Sequence, residues 1–548
     1  MKNRFLKVSA IFMAAFMLIC MLPVNMIADD AEIPIDAEHF PDEIFRNFIA
    51  TGQDYETEVD IDTDGNGSLS ASEIAAVKSI HATYEDIADL TGIEYFTALD
   101  NLDCSGNELT SLDVSNNTAL TYLICEWNDL TSLDVSNNTK LVELGCNCNY
   151  LTSLDVSNNT KLVELGCNCN NLTSLDVSNN TELILLDFKY NRLTSLDVSN
   201  NTALDNLDCS GNDLTSLNLS NNTELTKLWC SENRLTSLNL SNNTELEELW
   251  CFSNDLTSLD VSNSTGLRQF YCYNDELTSL DVSNNTDLTV LYCSDNDLTS
   301  LDVSNNTELN ALDCSDNQLT SLDISNNTEL EWLNCAYNRL TSLDISNNTA
   351  LTKLWCNGNR LTSLDVSNNT ALETLACDEN QLTSLDVSNN TRLEYLDCSG
   401  NRLTSLDLSN NTNLEDFFGD DNSYPVFSSP YDLTSLPEGF DLDNASNWQN
   451  GTVEGNILTF IDEDVPVTYT YDCGNGHEAV FSLYIKEVLP GDYDCNGTVN
   501  TADAVLTLQA AMNLLTPSEQ ALANADIDGD GVLTVSDAVQ VMRIALGV

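Results

Sequence analysis

Leucine sets the pattern of this chain. From Leu109 to Leu403 the tetrad L-T-S-L returns every 21 residues, fifteen times without a slip. Before each tetrad runs a segment such as the one from Leu120, where Leu120, Leu123 and Cys125 are apolar and the residues between them vary. Alternation at Leu123 and Cys125 predicts a short strand with one buried face. The following "LTSLDVSNNT" sets Leu, Leu and Val among Asp, Ser, Asn and Thr, residues that build turns by bonding to nearby backbone. A unit this short cannot cover its own apolar face, so successive units must stack as coils of a solenoid.

The unit fits L-x-x-L-x-C-x-x-N-x-L. It resembles the leucine-rich repeat in its short bacterial, internalin-like form, with Cys at the third apolar position. The resemblance covers residues from about 90 to 437 and implies strands lining a concave face, with "LTSLDVSNNT" crossing the convex side. Asn107, Asn128, Asn149, Asn170 and Asn191 form a ladder whose inward amides can satisfy backbone groups in the turn after each strand. Fourteen cysteines from Cys104 to Cys398 occupy the interior strand position, with Phe188 substituting once. Parallel stacking at strand spacing suits buried thiols better than disulfides. Cys148 and Cys169 fall at outward positions of adjacent coils, as a reactive pair or as the by-product of a duplicated repeat. The outward series Asp113, Asp134, Asp155 is like-charged at coil spacing, and local hydrogen bonding is expected to compensate it.

Strand residues outside the consensus are free to vary on a rigid scaffold, and binding is expected there. The position before the ladder cysteine is aromatic four times running, at Trp229, Trp250, Tyr271 and Tyr292, and Phe252 and Tyr273 lie two residues beyond Trp250 and Tyr271. These six predict an aromatic platform for a protein or glycan ligand, set against the alternative that stacked rings only stabilise the ladder.

Composition narrows the function. With 87 acidic and 19 basic residues, the formal charge is −68, which argues against nucleic acid and anionic membrane surfaces as partners. Three histidines, His39, His81 and His477, leave little for histidine-based catalysis or zinc binding. Lys2, Arg4 and Lys7 precede an apolar run ending near Ala28, which reads as a secretory signal peptide and predicts a secreted chain. No later apolar run is long enough for membrane insertion.

The stretch "DIDTDGNGSLSASE" places Asp62, Asp64, Asn66, Ser68, Ser70 and Glu73 at loop positions 1, 3, 5, 7, 9 and 12, with Gly67 at position 6. That spacing matches the EF-hand calcium loop: oxygen ligands alternate, glycine allows the sharp turn, and Glu73 can bind through both oxygens. Towards the C-terminus the pattern recurs twice. Asp492, Asp494, Asn496, Thr498 and Asp503 form one copy; Asp526, Asp528, Asp530, Val532 and Asp537 form the other, Val532 offering its carbonyl. Each copy runs directly into an apolar-periodic helix. Two such loop-helix units in about sixty residues resemble a type I dockerin. The resemblance implies Ca2+ as cofactor and a cohesin module of a scaffold protein as partner, in a cellulosome-like, polysaccharide-degrading setting. Loop positions 10 and 11 help choose the cohesin in that family, which maps to Thr501 and Ala502 in the first copy and Val535 and Ser536 in the second. The two pairs differ, which departs from the matched pairs many dockerins carry.

The organisation expected is a signal peptide (1–28), an N-terminal cap with the calcium loop (29–85), the leucine-rich repeat solenoid (86–437), a small β cap (438–487) and a small α-helical dockerin (488–548). The function expected is that of a secreted, non-catalytic binding protein. A cell-surface adhesin whose tail binds no cohesin is the alternative, and a carbohydrate-active enzyme a lesser one, since no stretch offers a folded cleft with paired carboxylates.

Overall fold

The computed structural model describes residues 32–52, 61–486, 489–494 and 498–548. The expected signal peptide, Asn496 and Cys495 lie outside them. The chain divides into two units, Met1–Asp255 and Leu256–Val548.

The first unit opens with strand Ile33–Pro34, paired antiparallel to Ser68–Leu69 in the acidic loop, and helix Glu43–Thr51. Asp42 caps that helix by accepting from the amides of Ile44 and Phe45, and Gly52 ends it in the left-handed conformation. Phe40, Phe45 and Phe96 are fully buried beside it. Then begin the coils. Strands of three residues, from Ser79–His81 to Glu248–Trp250, pair in parallel with Leu over Leu, as in Leu102↔Leu123 and Leu123↔Leu144.

Two amide ladders hold each coil to its neighbours. The expected one is present: Asn128 donates from Nδ2 to the carbonyls of Cys104 (3.0 Å) and Cys125 (3.2 Å), while its Oδ1 accepts from the amide of Leu109. The second sits across the coil, in the second Asn of "SNN". Asn180, fully buried, donates to Val156 O (3.0 Å) and Asn159 O (2.9 Å), one bond to each of two turns of the preceding coil. Both ladders satisfy backbone carbonyls that the packed interior hides from water. The ladder cysteines are fully buried and, like every described cysteine, free thiols. Burial pushes their pKa values up, Cys335 to about 12, so they stay protonated and behave as small hydrophobes. On the outer turns each aspartate accepts from the amide two residues on, as Asp176 does from Ser178 at 2.9 Å. Asn218 and Asn239 do the same work in two coils, so the position requires an acceptor and not a charge.

Just after each strand the chain passes through a left-handed residue, among them Trp127, Tyr190 and Glu232. Where Tyr190 occupies it, the next coil has Gly211 at φ +62°, and a Cβ there would lie 2.4 Å from the tyrosine ring. Tyr84 with Gly106 repeats this pairing in the first unit, and Tyr337 with Gly358 in the second.

The second unit continues with parallel strands from Gln269–Tyr271 to Asp416–Phe418. Beyond them a four-stranded sheet, containing Asn422–Val426, Ala445–Gln449, Val467–Gly474 and His477–Ile485, closes on the final coils. Tyr469 Oη donates to Thr404 O (2.8 Å), Leu408 N to Cys473 O (2.7 Å), and Val480 N to Asp420 Oδ1 (2.7 Å). This sheet, which includes Asn422–Val426 from within the range 86–437 expected for the solenoid, takes up backbone and side-chain groups that a further coil would otherwise bond. Three helices follow, Thr501–Ala511, Glu519–Ala525 and Val535–Leu546. Their core is small: Tyr493, Ala510, Ala521, Ala525 and Leu533, flanked by Leu506 and Leu522.

The two outer-turn positions separate cleanly by mutation. Asn180→Asp replaces a two-bond donor by a buried carboxylate facing two carbonyls and is expected to destabilise by about 3–5 kcal/mol. Asp176→Asn keeps its acceptor and should change stability by less than about 0.5 kcal/mol. The shift of the urea unfolding midpoint reads both.

Candidate functional site

Four features of the surface carry chemistry. In the first unit, the chain has Gly145 and Gly166 before two ladder cysteines, and a Cβ at either would collide with Glu126 Oε1 (2.8 Å) or Asn147 Nδ2 (2.9 Å). The space they leave holds a polar track: Asn147 Nδ2 donates to Glu126 Oε1 (2.6 Å), Asn168 N to Asn147 Oδ1 (2.8 Å), and Asn168 Nδ2 to Asp187 Oδ2 (2.6 Å). Lys189 continues it, 3.5 Å from Asp187 and 3.0 Å from Asp208. Burial, followed for Asp187 by the charge of Asp208, raises the pKa values of Glu126 and Asp187. The sequence signal for this track is weak because the position after the ladder residue varies along most of the array, and Asp187 joins from the position before it. Cys148 and Cys169 lie beside it, half-buried. Burial first, then the Cys169 hydrogen bond and nearby carboxylates, push the Cys148 thiol up to about 12.

Aromatic residues occupy the strand face of each unit. Trp229 and Trp250 pack at 5.7 Å in the first, with Lys227 over the Trp229 ring and 2.9 Å from Glu248; Phe252 is half-buried one residue past the next ladder cysteine. In the second, Tyr271 and Tyr292 meet edge to face at 5.0 Å, and Tyr273 is half-buried. The run then goes further than the sequence suggested. Trp332 stacks on Tyr292 at 5.2 Å and Trp355 packs on Trp332 at 5.3 Å. Trp332 stands two strands from Tyr292, and the intervening strand offers only Ala311 in register with it, so the indole can lean across. Scanning one strand position alone hid this, because that column reads Asp313 and Asn334 where the aromatic run continues from the neighbouring column. Asp378, farther along, is pushed up to about 6 by burial and then by Asp397.

The three acidic loops share one construction. In each, one carboxylate oxygen apiece from three residues falls within 4.8 Å of the others: Asp62, Asp64 and Glu73; Asp492, Asp494 and Asp503; Asp526, Asp528 and Asp530. The position-9 residue is the N-cap of the following helix and the position-12 acid closes its capping box, as Ser70 with Glu73, Asn500 with Asp503 and Thr534 with Asp537. The first acid folds back on the loop: Gly67 N donates to Asp62 Oδ2 (2.9 Å) and Gly531 N to Asp526 Oδ2 (2.7 Å). Asn66 accepts from Ser68 N (2.7 Å), and Asp530 from Val532 N (2.9 Å). Desolvation, and then the repulsion of Asp530, Asp537 and Asp526, raises the pKa of Asp528. Such clusters can hold a metal ion, and the all-oxygen donor set fits a hard cation. Of the middle loop's expected ligands, Asp492, Asp494, Thr498 and Asp503 lie among the described residues.

The expected partner-choosing residues are exposed. Thr501 and Ala502 open one helix, Val535 and Ser536 another. One turn on, Val505 and Val539 are each 49% exposed, a matched apolar pair that adds to those faces and that the loop-position rule did not include.

A leucine-rich repeat model (two copies) matches residues 328–369, an LVIVD repeat model residues 121–147, and a type I dockerin model residues 490–544. Among solved structures, the functional domain of InlJ from Listeria monocytogenes, described as including a cysteine ladder, is 32% identical at a TM-score of 0.69 over 84% of this chain and 100% of that one. The chain belongs to the internalin-like leucine-rich repeat family. Internalin J of Listeria monocytogenes serotype 4b (strain F2365) is 38% identical over 79 residues, 14% of this chain and 8% of that protein's length. The leucine-rich repeat protein LIC12759 of Leptospira interrogans shares the fold, at 22% identity and a TM-score of 0.52 over 63% of this chain and 92% of that one. An internalin-like array in one chain with a type I dockerin makes a protein-binding architecture. Among the described residues no helix is long and apolar enough to cross a membrane.

Glu73 gives a pH test of the N-terminal loop. The Ser70 amide first, then the Thr63 and Ser70 hydroxyls, hold its carboxyl down to about 2. A folded pKa below the unfolded one, about 4.3, means a contribution complete above the unfolded value and lost as pH falls towards about 2. In metal-free buffer, hydrogen-exchange protection of residues 61–76, corrected for intrinsic rates, should fall through this window. Glu73→Gln should remove that dependence.

Proposed function

We propose that this internalin-like protein is a secreted, non-catalytic recognition subunit that docks through its C-terminal dockerin onto a cohesin-bearing scaffold, with calcium in the loops, and holds a protein ligand on its strand face. The dockerin match over residues 490–544, coinciding with two acidic clusters that can take a cation, carries this reading. The helical module's core is mostly alanine, so little apolar burial is available to hold it folded. Calcium bound by Asp492, Asp494, Asn496, Thr498 and Asp503, and by Asp526, Asp528, Asp530, Val532 and Asp537, would supply stability in proportion to its affinity for the native state. The N-terminal ligands would be Asp62, Asp64, Asn66, Ser68, Ser70 and Glu73. Thr501, Ala502, Val535 and Ser536, with Val505 and Val539, form the docking faces.

The ligand of the array is read as a protein because its rings pack upon one another. Tyr271, Tyr292, Trp332 and Trp355 cover part of each other's faces and leave an apolar ridge beside the acidic residue Asp313. A partner with apolar anchors and a basic rim complements that ridge. The extent of the internalin likeness, 84% of the chain, favours a second reading in which surface recognition is the whole function and the tail binds no cohesin.

Calorimetric titration of the full chain with a panel of cohesins separates the two. Docking predicts chelator-sensitive binding to at least one, weakened at least tenfold by the pair Val505→Asp and Val539→Asp. A calcium-loaded, folded tail that binds none of them sinks the docking reading and leaves the second.

A further inference from the structure

Of the seventeen described cysteines fifteen are buried, and the two that reach the surface stand side by side. Cys148 and Cys169 occupy the left-handed position of adjacent coils, at φ +53° and +51°, so their side chains leave the backbone in the same direction. That backbone is tied coil to coil: Cys148 N donates to Asn168 O and Cys169 N to Lys189 O, both at 2.9 Å. Adjacent coils therefore keep sheet spacing here, about 4.8 Å. Cys169 stands near enough to Cys148 to help raise the pKa of its thiol, after burial.

We propose that Cys148 and Cys169 together form a binding site for a soft, two-coordinate d10 cation of the Cu(I) class. Two collinear metal–sulfur bonds of about 2.3 Å, the length typical of zinc–thiolate bonds, span about 4.6 Å, which matches the coil spacing without moving the backbone. A disulfide fits less well, since it needs sulfurs about 2.05 Å apart and Cβ atoms near 3.8 Å. Thiolates select soft cations over hard ones, which distinguishes this site from the oxygen-only loops. The surroundings suit a cation. A groove of about 370 Å³ is lined by both cysteines, Trp127, Tyr150 and Asp129. Asn168 Oδ1 lies 4.0 Å from Cys148 Sγ, and Glu126 and Asp187 add negative potential. On binding, each thiol releases its proton to solvent as its sulfur bonds the metal; no electron is transferred. The ladder cysteines point inward and take no part.

Titration of the reduced full chain with Cu(I), against a chromogenic Cu(I) chelator under anaerobic conditions, tests this. One tightly bound ion per chain is expected. The double substitution Cys148→Ser and Cys169→Ser should weaken it by more than about 100-fold, beyond what losing a supporting contact costs. Serine is tolerated at this turn, since Ser253 holds the same position at φ +54°, and an unchanged melting curve checks the fold. X-ray absorption should report two sulfur neighbours. The proposal is overturned if the double variant, which keeps Cys495, binds Cu(I) as tightly, or if the wild-type chain binds none. It is equally overturned if the chain isolated from medium shows these two thiols only after reduction, which would make the pair a disulfide.

Discussion

Every coil in this protein depends on what happens to the carbonyls of its neighbour. Stacking short turns buries backbone acceptors that no helix or broad sheet can satisfy, and a 21-residue unit with three-residue strands has few ladder bonds to spare. Side-chain amides supply the difference, because asparagine alone among small residues gives two donors and an acceptor at the end of a short stem. Asn128 and its equivalents lock one turn, Asn180 and its equivalents another, and the leucines then pack in the only register those bonds permit. Leucine drives the burial; asparagine decides the geometry.

Much of this was legible in the sequence, and what was not has a physical reason. The 21-residue period, the strand position, the Asn128 ladder, the buried cysteines and the local bonding of the outer aspartates each follow from repeated identity. The Asn180 ladder was overlooked although equally regular, since a polar residue inside a turn motif reads as turn chemistry unless its neighbours are known. Trp332 and the Glu126–Asn168 track were missed for the opposite reason. Trp332 and Glu126 do not repeat, asparagine after the ladder cysteine recurs in adjacent coils only at Asn147 and Asn168, and the contacts cross two coils or need glycine floors at Gly145 and Gly166. In the acidic loops the spacing announced ligands, yet not that Glu73, Asp503 and Asp537 also close capping boxes.

That double duty bears on how the loops work. A carboxylate already engaged by an N-cap residue is oriented before any cation arrives, so binding loses less conformational freedom than a loose acidic loop would. The array presents an analogous economy: rigid coils fix aromatic and polar residues at even spacing, and variation at a few outward positions changes the surface without disturbing the packing. Under the proposed function, recognition at the strand face and attachment at the tail would vary independently.

The tyrosine–glycine pairs give the array a directional grammar. Tyr190 requires a glycine in the coil that follows, and Gly211 needs nothing from the coil after it. Removing the glycine coil, or duplicating the tyrosine coil, would place a ring against a Cβ, so gain or loss of repeats by unequal recombination is restricted at such points to changes that keep a glycine after the tyrosine. The identical stretches around Cys148 and Cys169 mark a place where a coil tolerates a copy of itself as its neighbour. The length of this array is therefore not freely adjustable: a few pairs of residues dictate where its copy number can change.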